Sequence, residues 1–294
     1  MAKGAGPGHH GLADALMFRA LVAATLLLSF AQPAMVQDCK PFKSSQDPDF
    51  KRNVSANDDG LLCYRVERVK EAGRSWLIQT VAHTENLDGP WWYVAHDNED
   101  AAFDAALYAV RAFGGGFVTL ETGEKRSFYG QDPNRNFSKT GQRCLAKRHG
   151  SSKFTQAIMA KFEGVNWPIL ALHTNENGYN EKGGSGTVSV DRQAEGVKGF
   201  RSAEIAAAFE DEDVVVITAG DQRFPSGNKV VTVNKMRQAG LNVIHEHVRQ
   251  SRNDCSLSNY LVLNDTRSYF NLEAQHGEAD ILKTMIYRVV PLLK

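Results

Sequence analysis

Short apolar runs alternate with amphipathic stretches from residue 76 to residue 293, and this pattern predicts a layered α/β fold. Residues 76–82 and 91–95 read as strands. Residues 99–113 (EDAAFDAALYAVRAF) place apolar side chains at helical spacing, with Asn98 as N-cap and Gly114, Gly115 and Gly116 as the stop. Further strands are expected at 116–120, 168–172, 214–218, 241–244, 260–263 and 269–272, and helices at 153–162, 202–209, 231–239 and 278–293. Strands and helices in this order imply a mixed, mostly parallel central sheet flanked by helices. In the run YFNLE, side-chain alternation puts Phe270 and Leu272 on one face and Tyr269, Asn271 and Glu273 on the other.

Ahead of this pattern the chain has a different character. Residues 21–30 (LVAATLLLSF) form an apolar stretch after Arg19, with a small-x-small site ending at Ala31, which reads as a signal peptide over 1–31. The stretch is shorter than the ~20 residues a spanning helix needs. The polar run before it is long for a signal sequence, and Met17 is the more ordinary start. Residues 32–75 then form an N-terminal extension and 76–294 one catalytic domain. Lys plus Arg and Asp plus Glu both number 34, so bulk charge gives no reason to expect nucleic acid or an anionic membrane as partner. Binding must come from a site.

Four cysteines, Cys39, Cys63, Cys144 and Cys255, lie beyond the expected cleavage point, and an even number in an exported chain predicts disulfides. Three pairings are open; Cys39 with Cys63 is the local one and leaves Cys144 with Cys255. Asn53, Asn136 and Asn264 begin glycosylation-type triplets. A glycan on Asn136 would crowd the motifs described next, which favours a bacterial periplasm over other secreted settings.

Those motifs are His96-x-x-Glu99, the run DPNRNF from Asp132 to Phe137, His173 closing an apolar strand, and Glu273 late in another. Catalytic zinc takes three protein ligands and keeps a position for water, whose pKa falls from ~15.7 to about 7. Two histidines and a glutamate can supply the ligands, and another glutamate a base. His96 follows a strand and Glu99 opens a helix, while His173 ends a strand; strand carboxyl ends are where open α/β sheets bind ligands. An arginine fork such as Arg135 makes two parallel charge-assisted bonds to a carboxylate.

In their order these four motifs resemble the zinc carboxypeptidase superfamily, including its succinylglutamate desuccinylase and aspartoacylase branch. The resemblance spans residues 76–293, carried by the motifs alone, of which D-x-N-R-N-F is the most specific. It implies one Zn²⁺ per chain held by His96, Glu99 and His173, with Glu273 as general base and acid. Asp132 would orient a ligand imidazole, and Asn134 with Arg135 would bind a substrate carboxylate. Arg126, six residues before Asp132 as in the aspartoacylase branch, would stabilise the developing oxyanion; an ordinary solvated charge is the competing reading.

The chain departs from the family pattern where Asp97 replaces the usual glycine after the histidine and where Pro133 stands between Asp132 and Asn134. Tyr179 and Tyr260 are the candidates for a mobile tyrosine. His245-Glu246-His247 and His83-Thr84-Glu85 are rival metal motifs, each without a matching third ligand, and polar strand positions explain them more simply. His276 is expected at the cleft or at a helix entry, and Trp91 and Trp92 in core or cleft wall. The expected activity is hydrolysis of an amide bond beside a free carboxylate in a small peptide, cell-wall peptides included. Deacylation of N-acyl amino acids is the alternative, and an inactive carboxylate-binding protein of the same fold the alternative of another class.

Overall fold

The computed structural model describes residues 39–145, 150–176, 188–191, 195–209, 211–265 and 267–294. The expected signal peptide and Tyr179 lie outside them. Among the described residues ten strands form one sheet: β1 (Lys40–Pro41), β2 (Leu62–Glu71), β3 (Arg74–His83), β4 (Trp91–Val94), β5 (Gly116–Glu121), β6 (Ile169–Asn175), β7 (Val197–Phe200), β8 (Val215–Gly220), β9 (Asn242–His247) and β10 (Tyr269–Gln275). Their spatial order is β1-β2-β3-β5-β4-β6-β10-β8-β9-β7. The middle of the sheet is parallel from β5 through β4 and β6 to β10. There β8 joins antiparallel to β10 and parallel to β9, and the outer strands are antiparallel. The sheet is therefore mixed: its middle is mostly parallel, as the strand–helix alternation predicts, and its edges are antiparallel. Residues 39–75 are woven into it, because β2 pairs along its whole length with β3.

Helices α1 (Pro48–Asn53), α2 (Asp100–Phe113), α3 (Ser152–Met159), α4 (Asn228–Gln238), α5 (Leu257–Asn264) and α6 (Ala279–Val289) cover both faces. Alternate residues of each central strand feed two cores. Trp92, Leu170, Leu172, Phe270 and Leu272 pack with Phe103 and Val110 of α2 and Ile286 of α6. Tyr93, Ile169, Ala171 and Tyr269 pack on the other side with Phe154 of α3 and Leu261 of α5. Each fully buried large side chain contributes ~1.5–3 kcal/mol of transfer free energy, so this two-sided burial dominates the stability of the sheet. Between α2 and β5 the chain turns through Gly115 at φ +75°, where a Cβ would collide with the Pro90 carbonyl.

Three local expectations need correction. Residues 260–263 form part of α5, not a strand, because Ser256 caps a helix start and Leu257 and Leu261, one turn apart, are both buried. Residues 202–209 hold only a single 3₁₀ turn, Ile205–Ala207, in which Ile205 is 91% exposed and no apolar face is buried. The cap of α2 is Glu99 rather than Asn98, without a side-chain capping bond, since the Glu99 carboxylate is engaged elsewhere. Both disulfides, Cys39–Cys63 and Cys144–Cys255, follow the pairing that starts from the local bridge. Such bonds form and persist in oxidising, extracellular or periplasmic compartments. Among the described residues no helix is long and apolar enough to cross a membrane.

Candidate metal centre

The parallel strands carry their carboxyl ends to one edge of the sheet, and the motifs gather there. His96 follows β4, Glu99 opens α2, and His173 sits inside β6, two residues before its end rather than just past it. The Nδ1 atoms of His96 and His173 stand 3.2 Å apart. Glu99 lies between them, with Oε1 2.7 Å from His96 Nδ1 and Oε2 3.4 Å from His173 Nδ1. All three side chains are buried. A tetrahedral zinc with Zn–N of 2.0–2.1 Å demands donor separations of about 3.3 Å. The separations of 3.2 and 3.4 Å match that spacing, and the 2.7 Å contact between His96 and Glu99 would have to open by about half an ångström, so the group fits a metal ion with a small adjustment.

Glu99 is fixed from several sides. Oε2 accepts the Thr174 N–H at 2.9 Å, and Oε1 accepts from Arg126 Nη1 at 2.6 Å. Burial opposes its ionisation, but His96 and His173 outweigh burial and hold its carboxyl well below the usual range. Burial likewise disfavours the His96 imidazolium, yet Glu99 and Asp132 win and raise it, whereas for His173 burial prevails and lowers it. On the far side of the His96 ring, Nε2 meets Asp132 Oδ1 at 2.8 Å. That bond fixes the ring so that Nδ1 faces the centre. Asp132 is buried against ionisation too, but the His96 bond and charge keep its carboxyl low.

The DPNRNF run is a single 3₁₀ turn, Pro133–Arg135, capped by Asp132, whose Oδ1 also accepts the Asn134 N–H at 2.8 Å. Pro133 suits the first position of that turn, where no N–H is needed. Arg135 Nη1 donates to Asp132 Oδ2 at 2.9 Å and Nε to Asp254 Oδ2 at 3.2 Å. Asn136 is fully buried, with Oδ1 accepting from Gln131, so the folded chain offers it no room for a glycan. Asp97 has a job of its own. Its Oδ2 accepts from the N–H groups of Thr122 and Glu124, both at 2.8 Å, and so braces the loop that carries Arg126.

Glu273 lies directly beside His173 in the β10–β6 register and faces the same cavity, of about 100 Å³, as Arg126, Arg135 and His173. The alternation read from YFNLE holds: Tyr269, Asn271 and Glu273 all line that cavity. Glu273 is only 8% exposed, which excludes an ordinary solvated carboxylate. Burial, reinforced by the charge of Glu99, pushes its carboxyl up to about 8. Asn271 Nδ2 donates to its Oε1 at 2.8 Å and Asn175 Nδ2 to its Oε2 at 3.4 Å. The structure thus brings together all eight residues named from the sequence around one centre and one cavity.

Asp254, Ser256 and Ser258 were not foreseen. They line the cavity next to Cys255, and only the disulfide expected at that cysteine marked the segment. In the rival metal motifs, His83 Nδ1 accepts from the N–H groups of Glu85 and Asn86, and His245 Nε2 donates to the Gln222 carbonyl, while Glu246 lines the same cavity as Glu273. His276 is half-exposed and bonds Thr174 Oγ1 at 2.6 Å, at the cavity rim. Trp91 and Trp92 are core residues on opposite faces of the sheet. Tyr260 Cα lies on α5, and its ring packs near Phe137.

No family model matches the chain, and no curated protein matches it. Solved structures do. A metallo-carboxypeptidase from Burkholderia cenocepacia aligns at 11% identity over 84% of this chain and 69% of its own, with a TM-score of 0.43. A proposed metallopeptidase from Shewanella amazonensis SB2B aligns at 14% identity over 78% and 87%, with a TM-score of 0.42. An aspartoacylase family protein from Mesorhizobium loti aligns at 12% identity over 79% and 67%, also with a TM-score of 0.42.

Proposed function

We propose that this chain is an exported, zinc-dependent hydrolase of an amide bond next to a free carboxylate. The observation that carries the reading is the convergence of His96 Nδ1, His173 Nδ1 and the Glu99 carboxylate beside a cavity that also receives Glu273, Arg126 and Arg135. His96, Glu99 and His173 would hold the ion. Zinc there would supply a Lewis acid that polarises the scissile carbonyl and acidifies water.

The remaining chemistry belongs to the chain. Glu273, beside His173 and facing the cavity, would take a proton from the attacking water and return it to the leaving nitrogen. Arg135, with Asn134 beside it, receives the substrate's carboxylate and so fixes which amide bond reaches Glu273. Arg126 gives Nη1 to Glu99 and keeps its Nη2 group for the oxygen on which charge develops, a donor of the kind worth on the order of 3 kcal/mol. Asp132 holds the His96 ring and Arg135 at once.

The preferred reaction is carboxypeptidase-like release of a terminal residue from a small peptide. Stem peptides of the cell wall are the substrates an exported enzyme would meet. Deacylation of N-acyl amino acids is the second reading, favoured by the short interval between Arg126 and Asp132. Protein loaded with zinc and offered both substrate sets, with and without chelator, separates them. We expect about one zinc per chain, lost in His96→Ala and His173→Ala and retained in Glu273→Gln, which should lose hydrolysis. Wild type that binds no zinc would end the enzyme reading, and wild type that binds zinc and the carboxylate but hydrolyses nothing would leave a binding protein. Release of nothing from muropeptides would remove the cell-wall substrate alone.

A further inference from the structure

The wall of the cavity facing Arg135 is a short segment, 253–258, that does not belong to the sheet. It is stapled to the turn and loop 135–145 at several points. The Phe137 N–H donates to the Cys255 carbonyl at 2.9 Å, and the Leu145 N–H to the Asn253 carbonyl at 2.7 Å. Arg135 Nε donates to Asp254 Oδ2 at 3.2 Å, and the Cys144–Cys255 disulfide closes the group. Within the segment, Asp254 Oδ1 accepts the Ser256 N–H at 3.0 Å, so the carboxylate itself is held at both oxygens. Cys255 adopts φ +64°, a left-handed conformation that a non-glycine residue keeps only when its surroundings enforce it.

An arginine has five N–H donors. In Arg135 the Nε donor goes to Asp254 and one Nη1 donor to Asp132, and among the described residues Nη2 has no acceptor. With both flanks engaged by carboxylates, rotation about the end of the side chain is blocked. The second Nη1 donor and both Nη2 donors remain, and together they supply an Nη1–Nη2 fork that can take a carboxylate in two parallel bonds. Asp132 alone would leave the guanidinium free to pivot.

We propose that Asp254 is a positioning residue that presents the Nη1–Nη2 fork of Arg135 to the substrate's carboxylate, and that the Cys144–Cys255 disulfide keeps Asp254 in place for that task. This rests on the reading of Arg135 as the carboxylate clamp. It assigns to a cavity-wall acid a role in binding an anion, by way of the cation between them, where its charge alone would repel that anion.

The test uses zinc-loaded Glu273→Gln protein, which holds ligand without turnover, titrated with an N-acetyl dipeptide and with its C-terminal amide. The protein carrying native Asp254 should prefer the acid over the amide. Adding Asp254→Ala should weaken acid binding roughly tenfold or more, the scale of misplacing one clamp, and leave amide binding and zinc content unchanged. Asp254→Glu should restore part of the preference. Cys144→Ala/Cys255→Ala should follow Asp254→Ala, whereas Cys39→Ala/Cys63→Ala should not. Undiminished preference in Asp254→Ala overturns the proposal while leaving the clamp intact. A parental protein that binds acid and amide equally overturns the Arg135 clamp itself, a distinguishable failure that takes this inference with it. Equal weakening of acid and amide in Asp254→Ala, or loss of zinc, would make Asp254 merely structural.

Discussion

Glu273 concentrates the physical tension of the site in one side chain. It is buried beside another carboxylate, Glu99, and among the described residues the hydrogen bonds to its ionised form come from two asparagine amides. A folded-state pKa near 8 against the ordinary 4.5 means that folding favours the protonated acid. Its contribution to stability is thus fully present below pH 4.5 and is lost as pH rises through about 8, where the buried group must ionise. Every tenfold change in an ionisation constant corresponds to ~1.4 kcal/mol, so the loss in metal-free protein reaches a few kcal/mol. Glu273→Gln keeps the shape and removes the titration. In chelator-treated samples its Tm should therefore fall less between pH 6 and pH 9 than that of the wild type, and exceed it at pH 9. Parallel pH profiles for the two proteins would mean that Glu273 is solvated after all.

At the scale of the elements, the site depends on four adjacent parallel strands, β5, β4, β6 and β10, ending at one edge. That much was legible, because the short, mostly apolar runs at 91–95, 116–120 and 168–172 each follow or open with Pro or Gly and so fit buried strands, and YFNLE alternates as a strand that shows one face to a cavity. The helix α5 was not. Its run Tyr260-Leu261-Val262-Leu263 is apolar without interruption, which fits a buried strand as well as a helix. The decision came from outside the run: Ser256 Oγ accepts the Asn259 N–H at 3.3 Å and starts the helix. Ser256→Ala should lower the free energy of unfolding by about 1 kcal/mol, measured as a shift in urea midpoint at unchanged m-value. An unmoved midpoint would mean that Leu257 and Leu261 fix the helix without the cap. Asp254 was illegible for a different reason. It is adjacent to a cysteine in sequence but reaches Arg135 across 119 positions, and nothing local signals such a pair.

Across the whole molecule the two disulfides act at different lengths. Cys39–Cys63 joins the edge strand β1 to β2 over a separation of 24 residues, where the backbone already pairs Pro41 with Cys63. Cys144–Cys255 spans 111 residues and ties the loop after the DPNRNF turn to the segment before α5, so it encloses β6 through β9 in one covalent ring. If the main effect of each bridge is to restrict the unfolded chain, closing these loops is worth about 3.5 and about 4.8 kcal/mol respectively. The longer bridge should then contribute more to global stability as well as to the cavity wall. Urea unfolding of Cys39→Ala/Cys63→Ala and Cys144→Ala/Cys255→Ala gives the comparison, with the second pair expected to lose roughly 1 kcal/mol more than the first. Removal of the short bridge should fray one sheet edge far from the centre and leave zinc binding intact. The reverse order of losses would show that the bridges act through native-state packing, with Cys39–Cys63 holding down an edge strand only two residues long.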